Sequence, residues 1–228
     1  MSRPSDRLTG IVLAGGQNRR LGRSKPLMLL GGKLMLARVA DTLKPICSEL
    51  ILVVRPDQDD DTPDVGQALG MHVVTDTPPH KGPLAALHAG LATSYTTLCF
   101  VTGADHPFLS RRLVMAMANV AASNRSAVVP RVDGILHPLH SIYMPSEWAP
   151  FTGRSLDEGR SSPRDVIEEA MSKGYPPVSV YTEDEIEAQD PQKLSLFDID
   201  TPDNLGIARR IIAAQRPVLR PDIRHGGL

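Results

Sequence analysis

Apolar and polar positions alternate in blocks along the first 130 residues. Aliphatic and β-branched runs predict strands at Leu8–Leu13, Leu50–Val54, Met71–Thr75, Leu98–Thr102 and Ala127–Pro130. Between them the apolar residues recur at helical spacing: Leu36, Val39, Ala40 and Leu43, then Leu84, Leu87 and Leu91, then Leu113, Met117 and Val120. Ser110 is placed to cap the third of these helices. Strands that alternate with helices in this way predict an α/β chain, with a mostly parallel sheet covered on both faces as a three-layer α/β/α sandwich.

The second half is less regular. Val128 to Leu136 predicts a hairpin turning at Asp133-Gly134. A strand is expected over His137–Tyr143, and helical spacing starts at Trp148. Gly153 to Ser162 is expected as a polar loop, followed by a helix from about Arg164 to Ser172 and strands near Val178–Tyr181 and Leu196–Ile199. Thr201-Pro202-Asp203 is a helix start, with Thr201 as cap and Pro202 in the first turn. That helix should bury Leu205, Ala208, Ile211 and Ile212, and residues 216–228, rich in Arg, Pro and Gly, are expected as a flexible tail. No repeat or linker divides residues 1–215, which are expected to form a single domain.

Composition narrows the classes. The 228 residues suffice for one α/β domain with a substantial core. The 25 basic and 26 acidic side chains leave a net charge of −1, which argues against nucleic acid and against an anionic membrane as partners. Cys47 and Cys99 are too few for a disulfide framework. No apolar run reaches transmembrane length and residues 1–10 lack a signal-peptide core, so a cytoplasmic location is expected.

The chemistry concentrates where strands end. The first strand runs into Leu13-Ala14-Gly15-Gly16 and then, past Arg20 and Gly22, to Lys25. Glycines let backbone N–H groups approach a ligand closely, and the two cations suit phosphate oxygens, so a triphosphate site is expected. Neither the P-loop spacing nor the dinucleotide G-x-G-x-x-G pattern fits. The fourth strand delivers Asp105 into a Pro-containing turn, as a Mg²⁺ ligand or as a turn-forming residue. Asp198 and Asp200 precede the last helix, and Asp200 either reaches the metal or caps that helix. The acidic run Asp57 to Asp64 reads as a solvated loop.

The order LAGG…R-x-G-x-x-K, VVTD, GPLAAL, ADHPFL, HPL and DIDTPDNL resembles the molybdenum cofactor guanylyltransferase (MobA) family across about residues 8–210. The resemblance implies the nucleotide-diphospho-sugar transferase fold, a Rossmann-like arrangement, and a Mg²⁺-dependent transfer of GMP from GTP to molybdopterin with release of pyrophosphate. It implies a nucleotide-binding half over about 8–125 and an acceptor-binding half over about 126–215. Leu13, Ala14, Gly15, Gly16, Lys25, Asp76, Gly82, Pro83 and Leu84 would contact the nucleotide, and Asp105 and Asp200 the metal. Lys25, Arg20 and Asp105 would carry catalysis. His137 and Arg160 would fall on the acceptor side, the alternatives being a packed histidine and a surface arginine. Other cofactor-assembly proteins are implied as partners.

This chain departs from the family pattern at three places. Ser24 stands before the lysine where the family usually has Asp. The expected asparagine after the second strand is missing within Val53-Val54-Arg55. Asp198 and Asp200 replace asparagines, as in cytidylyltransferase relatives, whereas Gly15 and the GPLA turn look guanylyl-type. A CTP-dependent transferase, a transferase with another phosphorylated acceptor and a non-catalytic nucleotide-binding regulator are the alternatives.

Overall fold

The structure is a computed structural model describing residues 8–16, 24–76 and 80–215. Arg20 and the expected tail over 216–228 lie outside the described residues. In chain order, β1 spans Leu8–Leu13, β2 Leu29–Leu30, β3 Lys33–Leu34, α1 Met35–Leu43, β4 Glu49–Val54, α2 Thr62–Ala68, β5 His72–Thr75, α3 Pro83–Thr93, β6 Leu98–Gly103 and α4 Arg111–Asn124. They are followed by β7 at Ala127–Val132, β8 at Ile135–Leu136, β9 at Ser141–Tyr143, α5 at Pro145–Asp157, α6 at Pro163–Lys173, β10 at Val178–Tyr181, α7 at Glu183–Gln189 and α8 at Pro202–Gln215.

The main sheet has the order β10-β7-β9-β6-β1-β4-β5, with β8 paired to β7. The β6-β1-β4-β5 half is parallel throughout, while β9 runs antiparallel to both β6 and β7. Period-two alternation decides the layers. Val12, Leu52 and Phe100 face a core built with Leu36 and Leu43 of α1 and Leu113 and Met117 of α4. Ile11, Ile51, Val53 and Val101 face the opposite core, with Leu87 of α3, Trp148 and Phe151 of α5 and Ile167 of α6. The strands are apolar on both sides because both sides are covered, which makes the three-layer sandwich.

The hairpin turns at Asp133 and Gly134, both at positive φ, as a two-residue connection matched to strand twist requires. Ser110 caps α4 by accepting from the Leu113 N–H, and Thr201 accepts from the Asn204 N–H at the start of α8.

Several expectations change. Gly153 to Ser162 is not one loop: α5 runs through Asp157, because Trp148, Phe151, Ser155 and Leu156 form a buried stripe at helical spacing. The Leu196–Ile199 strand is absent, since β6 already has β1 and β9 at its edges. That segment is a 3-10 turn over Leu194–Leu196 followed by an extended stretch, fixed where the Ile199 N–H donates to the Asp105 carbonyl at 3.1 Å. The strand expected over His137–Tyr143 shortens to Ser141–Tyr143, because His137 to His140 close a turn through the His140 N–H and the His137 carbonyl. In α8, Leu205 and Ala208 are buried against Leu30 and Met35, whereas Ile211 and Ile212 are only partly covered. Helices α2 and α7 and the small β2-β3 hairpin are additional to the elements that the apolar periodicity predicts.

Candidate active site

Four parallel strands deliver chemistry to one edge. After β1 come Ala14, Gly15 and Gly16; after β4, Arg55; after β5, Asp76; after β6, Ala104 and Asp105. Ligands in such sheets bind beyond the carboxyl ends of the strands. A cavity of about 680 Å³ lies there, lined by Leu13, Gly15, Gly16, Asp76, Gly82, Pro83 and Asp105 among others. Its size is that of a small-molecule site. Gly82 enters α3 at φ 97°, a conformation that disfavours any side chain, and Pro83 follows as the first helical residue. The cavity is thus bounded by the β1 glycine turn on one side and by a helix N-terminus on the other.

Lys25 leaves a 3-10 turn over Lys25–Leu27 and sets its Nζ between two carboxylates. It donates to Asp105 Oδ2 at 3.1 Å and to Asp200 Oδ1. The second oxygen of Asp105, Oδ1, meets His106 Nδ1 at 3.1 Å. Burial alone would raise the Asp105 carboxyl, but the His106 contact and the Lys25 charge outweigh it and hold the group well below the usual carboxylate range. Burial works against the Lys25 ammonium, yet Asp200 and Asp105 together push its value up. Asp198 is raised by burial and by the neighbouring Asp200 charge. One cation-sized position therefore sits between two anionic oxygens, with a third acid close by.

Asp76 stands at the far end of the cavity. It is 5 % exposed, and its Oδ1 has no hydrogen-bond partner among the described residues. Burial pushes its carboxyl up. A buried acceptor without a donor is costly unless a ligand supplies one.

The other expected residues distribute as follows. Ala14 and Leu84 are buried in the two cores beneath the cavity, Ala14 anchoring the turn by donating its N–H to the Val53 carbonyl at 2.8 Å. His137 lies in the β8-β9 connection, partly buried, where burial and the nearby His106 lower its value. Arg160 pairs with Glu158 at 3.1 Å and with Glu169, on the α5-α6 side of the molecule rather than among the cavity-lining residues. Residues that sequence reasoning passed over as site candidates are Arg55, Asp57, Lys81, Leu139 and His106. The first had a usable signal: it is the residue immediately after β4, where a parallel strand meets the ligand edge. The acidic run does form a loop into α2, with Asp60 accepting from the Thr62 N–H at 2.9 Å.

No three His, Cys, Asp or Glu side chains among the described residues converge as a self-contained metal cage. Mg²⁺ sites on nucleotides need only one or two carboxylates, the phosphates supplying the rest. Asp105 and Asp200, both touching the same Nζ, fit that donor set.

A mostly parallel sheet presenting a glycine turn and Asp105 to one cavity, with Lys25 joining that carboxylate to Asp200, defines a nucleotidyltransferase. Residues 10–173 match the MobA-like NTP transferase domain, and the chain belongs to that family. It is 30% identical over 214 residues, 92% of this chain and 98% of the other, to the molybdenum cofactor guanylyltransferase of Desulfosudis oleivorans. Among solved structures it is similar to the molybdopterin-guanine dinucleotide biosynthesis protein A of Archaeoglobus fulgidus. That match has a TM-score of 0.75 and 24% identity, and covers 90% of this chain and 99% of that one. The fold extends to the 2-C-methyl-D-erythritol 4-phosphate cytidylyltransferase of Thermus thermophilus, with a TM-score of 0.64, 16% identity, and coverage of 89% and 98%.

Proposed function

We propose that this nucleotidyltransferase moves GMP from GTP to molybdopterin, forming molybdopterin guanine dinucleotide and releasing pyrophosphate. The similarity to the guanylyltransferase of Desulfosudis oleivorans supports the acceptor and the nucleotide. The observation that carries the chemistry is the convergence of Lys25, Asp105 and Asp200 at one end of a nucleotide-sized cavity.

An oxygen of the acceptor's phosphate monoester attacks the α-phosphorus, and the bond from that phosphorus to the bridging oxygen of the pyrophosphate breaks. A phosphate monoester has a second pKa near 6, so it is largely dianionic at neutral pH and needs no general base. The chain's task is positioning and charge neutralisation. The amides of Gly15 and Gly16 cradle phosphate oxygens, and Leu13, Gly82 and Pro83 wall the nucleotide. Lys25, joined by Arg20, takes the charge that grows on the leaving pyrophosphate. Asp105 and Asp200 would hold Mg²⁺, which when bound supplies further neutralisation of the triphosphate. Asp76 accepts donors from the nucleoside end.

In this reading residues of about 8–125 bind nucleotide and those of about 126–215 bind acceptor, His137 and Arg160 lying on the acceptor side. A cytoplasmic location and hand-over to other cofactor-assembly proteins go with it. Among the described residues no helix is long and apolar enough to cross a membrane.

The test is pyrophosphate release from GTP, CTP and ATP in the presence of Mg²⁺ and intact molybdopterin. Release with GTP alone is expected. Release with CTP instead would reassign the nucleotide, and release with none would leave only nucleotide binding.

A further inference from the structure

The cavity has a direction. Its strands run in the order β6, β1, β4, β5, so Asp105 and Asp76 stand three strand spacings apart. At about 4.8 Å per spacing that is roughly 14 Å, enough to hold a triphosphate at one end and a nucleobase at the other. With Lys25 and the two carboxylates at the Asp105 end, the base falls to β4 and β5. The residues there are Arg55 and Asp76, which neighbour each other where the Asp76 N–H reaches the Val54 carbonyl at 3.4 Å.

Arg55 is held for such a task. Its Nε donates to Gln58 Oε1 at 3.3 Å, with Asp57 Oδ1 at 3.7 Å on the same nitrogen. Its two terminal nitrogens make no hydrogen bond with the described residues. The side chain lines the cavity and is 29% exposed. Its stem passes over Gly15, where a Cβ would come within 3.1 Å of Arg55 Cγ. Arg55, its outer fork free of hydrogen bonds to the described residues, and the buried Asp76 thus line one cavity from adjacent strands.

The geometry points to Arg55 as the residue that selects guanine, its fork donating to O6 and N7 of the base. This rests on the GTP reading above. Guanine offers acceptors at O6 and N7 and donors at N1 and N2, matching an arginine and a carboxylate on adjacent strands. Adenine turns an amino donor toward the fork at the position of O6 and offers no proton at N1 to Asp76. Cytosine presents an amino donor too, on a smaller ring. Lys81 nearby is a point charge without the planar fork.

The test is equilibrium binding of GTP, CTP and 7-deaza-GTP with Mg²⁺, by calorimetry, to the full chain and to Arg55→Ala and Arg55→Lys. Wild type should bind 7-deaza-GTP about tenfold more weakly than GTP, the loss of one hydrogen bond to a charged group. Arg55→Ala should bind the two guanine nucleotides equally, and Arg55→Lys, which keeps a donor but not the fork, should show a smaller distinction than wild type. Wild type that does not distinguish 7-deaza-GTP, or an Arg55→Ala variant that keeps the distinction, would overturn the Arg55 contact and leave GTP use standing. Wild type that prefers CTP to GTP would overturn both.

Discussion

Lys25 and Asp105, 80 positions apart in the chain, meet at 3.1 Å between Nζ and Oδ2, and the same ammonium also touches Asp200. Lys25 thus occupies the place between the two carboxylates. A divalent cation would compete with it there, and phosphate oxygens would draw it away.

Two opposite effects follow for Lys25→Ala. Turnover should fall on the order of 100-fold or more, as when one preorganised donor to a developing charge is removed, with a smaller change in GTP affinity. Binding of Mn²⁺ to the nucleotide-free protein should instead tighten severalfold, because the competing ammonium is gone. Pyrophosphate release and Mn²⁺ titration by electron paramagnetic resonance read the two effects separately. A variant with wild-type kcat would remove Lys25 from the chemistry.

Gly15→Ala probes the turn from its other side. The added Cβ would lie 3.1 Å from Arg55 Cγ and 3.7 Å from its backbone nitrogen, so the arginine stem must shift by a few tenths of an ångström. The fold should tolerate this, since the nearer contact is a side chain at the cavity rim. GTP affinity should drop severalfold, and discrimination against 7-deaza-GTP should shrink with it. Unchanged discrimination would show that Arg55 does not depend on the glycine.

The sheet was legible because its strands are apolar on both faces and bounded by turns; β1 matches its sequence boundaries, and β4, β6 and β7 agree at their starts to within a residue. The glycine turn, Asp76 and Asp105 were legible for the same reason: each lies within a few residues of a strand's carboxyl end. What was hidden depends on contacts across the chain. The segment around Asp198 reads as a strand locally, yet it docks beside the end of β6, through the Ile199 N–H and the Asp105 carbonyl, and β6 is already paired on both sides by β1 and β9. Gly153 reads as a loop residue, yet it lies in α5 opposite His88, whose ring a Cβ there would approach to 3.1 Å. Arg55 looked like the end of a strand and a lost asparagine. Its significance lies in what stands beside it on β1 and β5, which spacing along the chain does not encode.

The thiols should be inert in the folded protein. Burial, with a smaller contribution from Cys99, pushes Cys47 up to about 12, and burial pushes Cys99 up to about 12 as well. At pH 8 the thiolate fraction of each is then about a thousandfold below that of a free cysteine. Iodoacetamide should label neither until denaturant is added, when both react. Rapid labelling of Cys47 in the native protein would show that the connection between α1 and β4 opens locally.

His140 gives the acid side of the stability profile a specific origin. Its ring is fully buried, edge-on to Phe100 at 5.1 Å and tilted against His106 at 5.3 Å, and its Nε2 has no hydrogen-bond partner among the described residues. Burial, and then the His106 and His137 rings, hold its value well below 6.5, so the folded ring stays neutral. The unfolded ring titrates at its ordinary value of about 6.5 and binds a proton that the folded one refuses. Stability is therefore complete above about pH 6.5 and falls as the pH drops below it, with a slope approaching about 1.4 kcal/mol per pH unit for this one group. His88 and His137, lowered chiefly by burial, act in the same direction. In His140→Phe the ring contacts persist and only a marginal contact with Thr102 Oγ1, at 3.5 Å, is lost. Urea unfolding at pH 7.5 should place this variant within about 1 kcal/mol of wild type, since the unpartnered nitrogen goes as well. Between pH 6.5 and 5 the variant should lose less stability than wild type, by up to about 2 kcal/mol at the lower end. Parallel pH profiles for the two proteins would mean that the buried ring accepts its proton without unfolding.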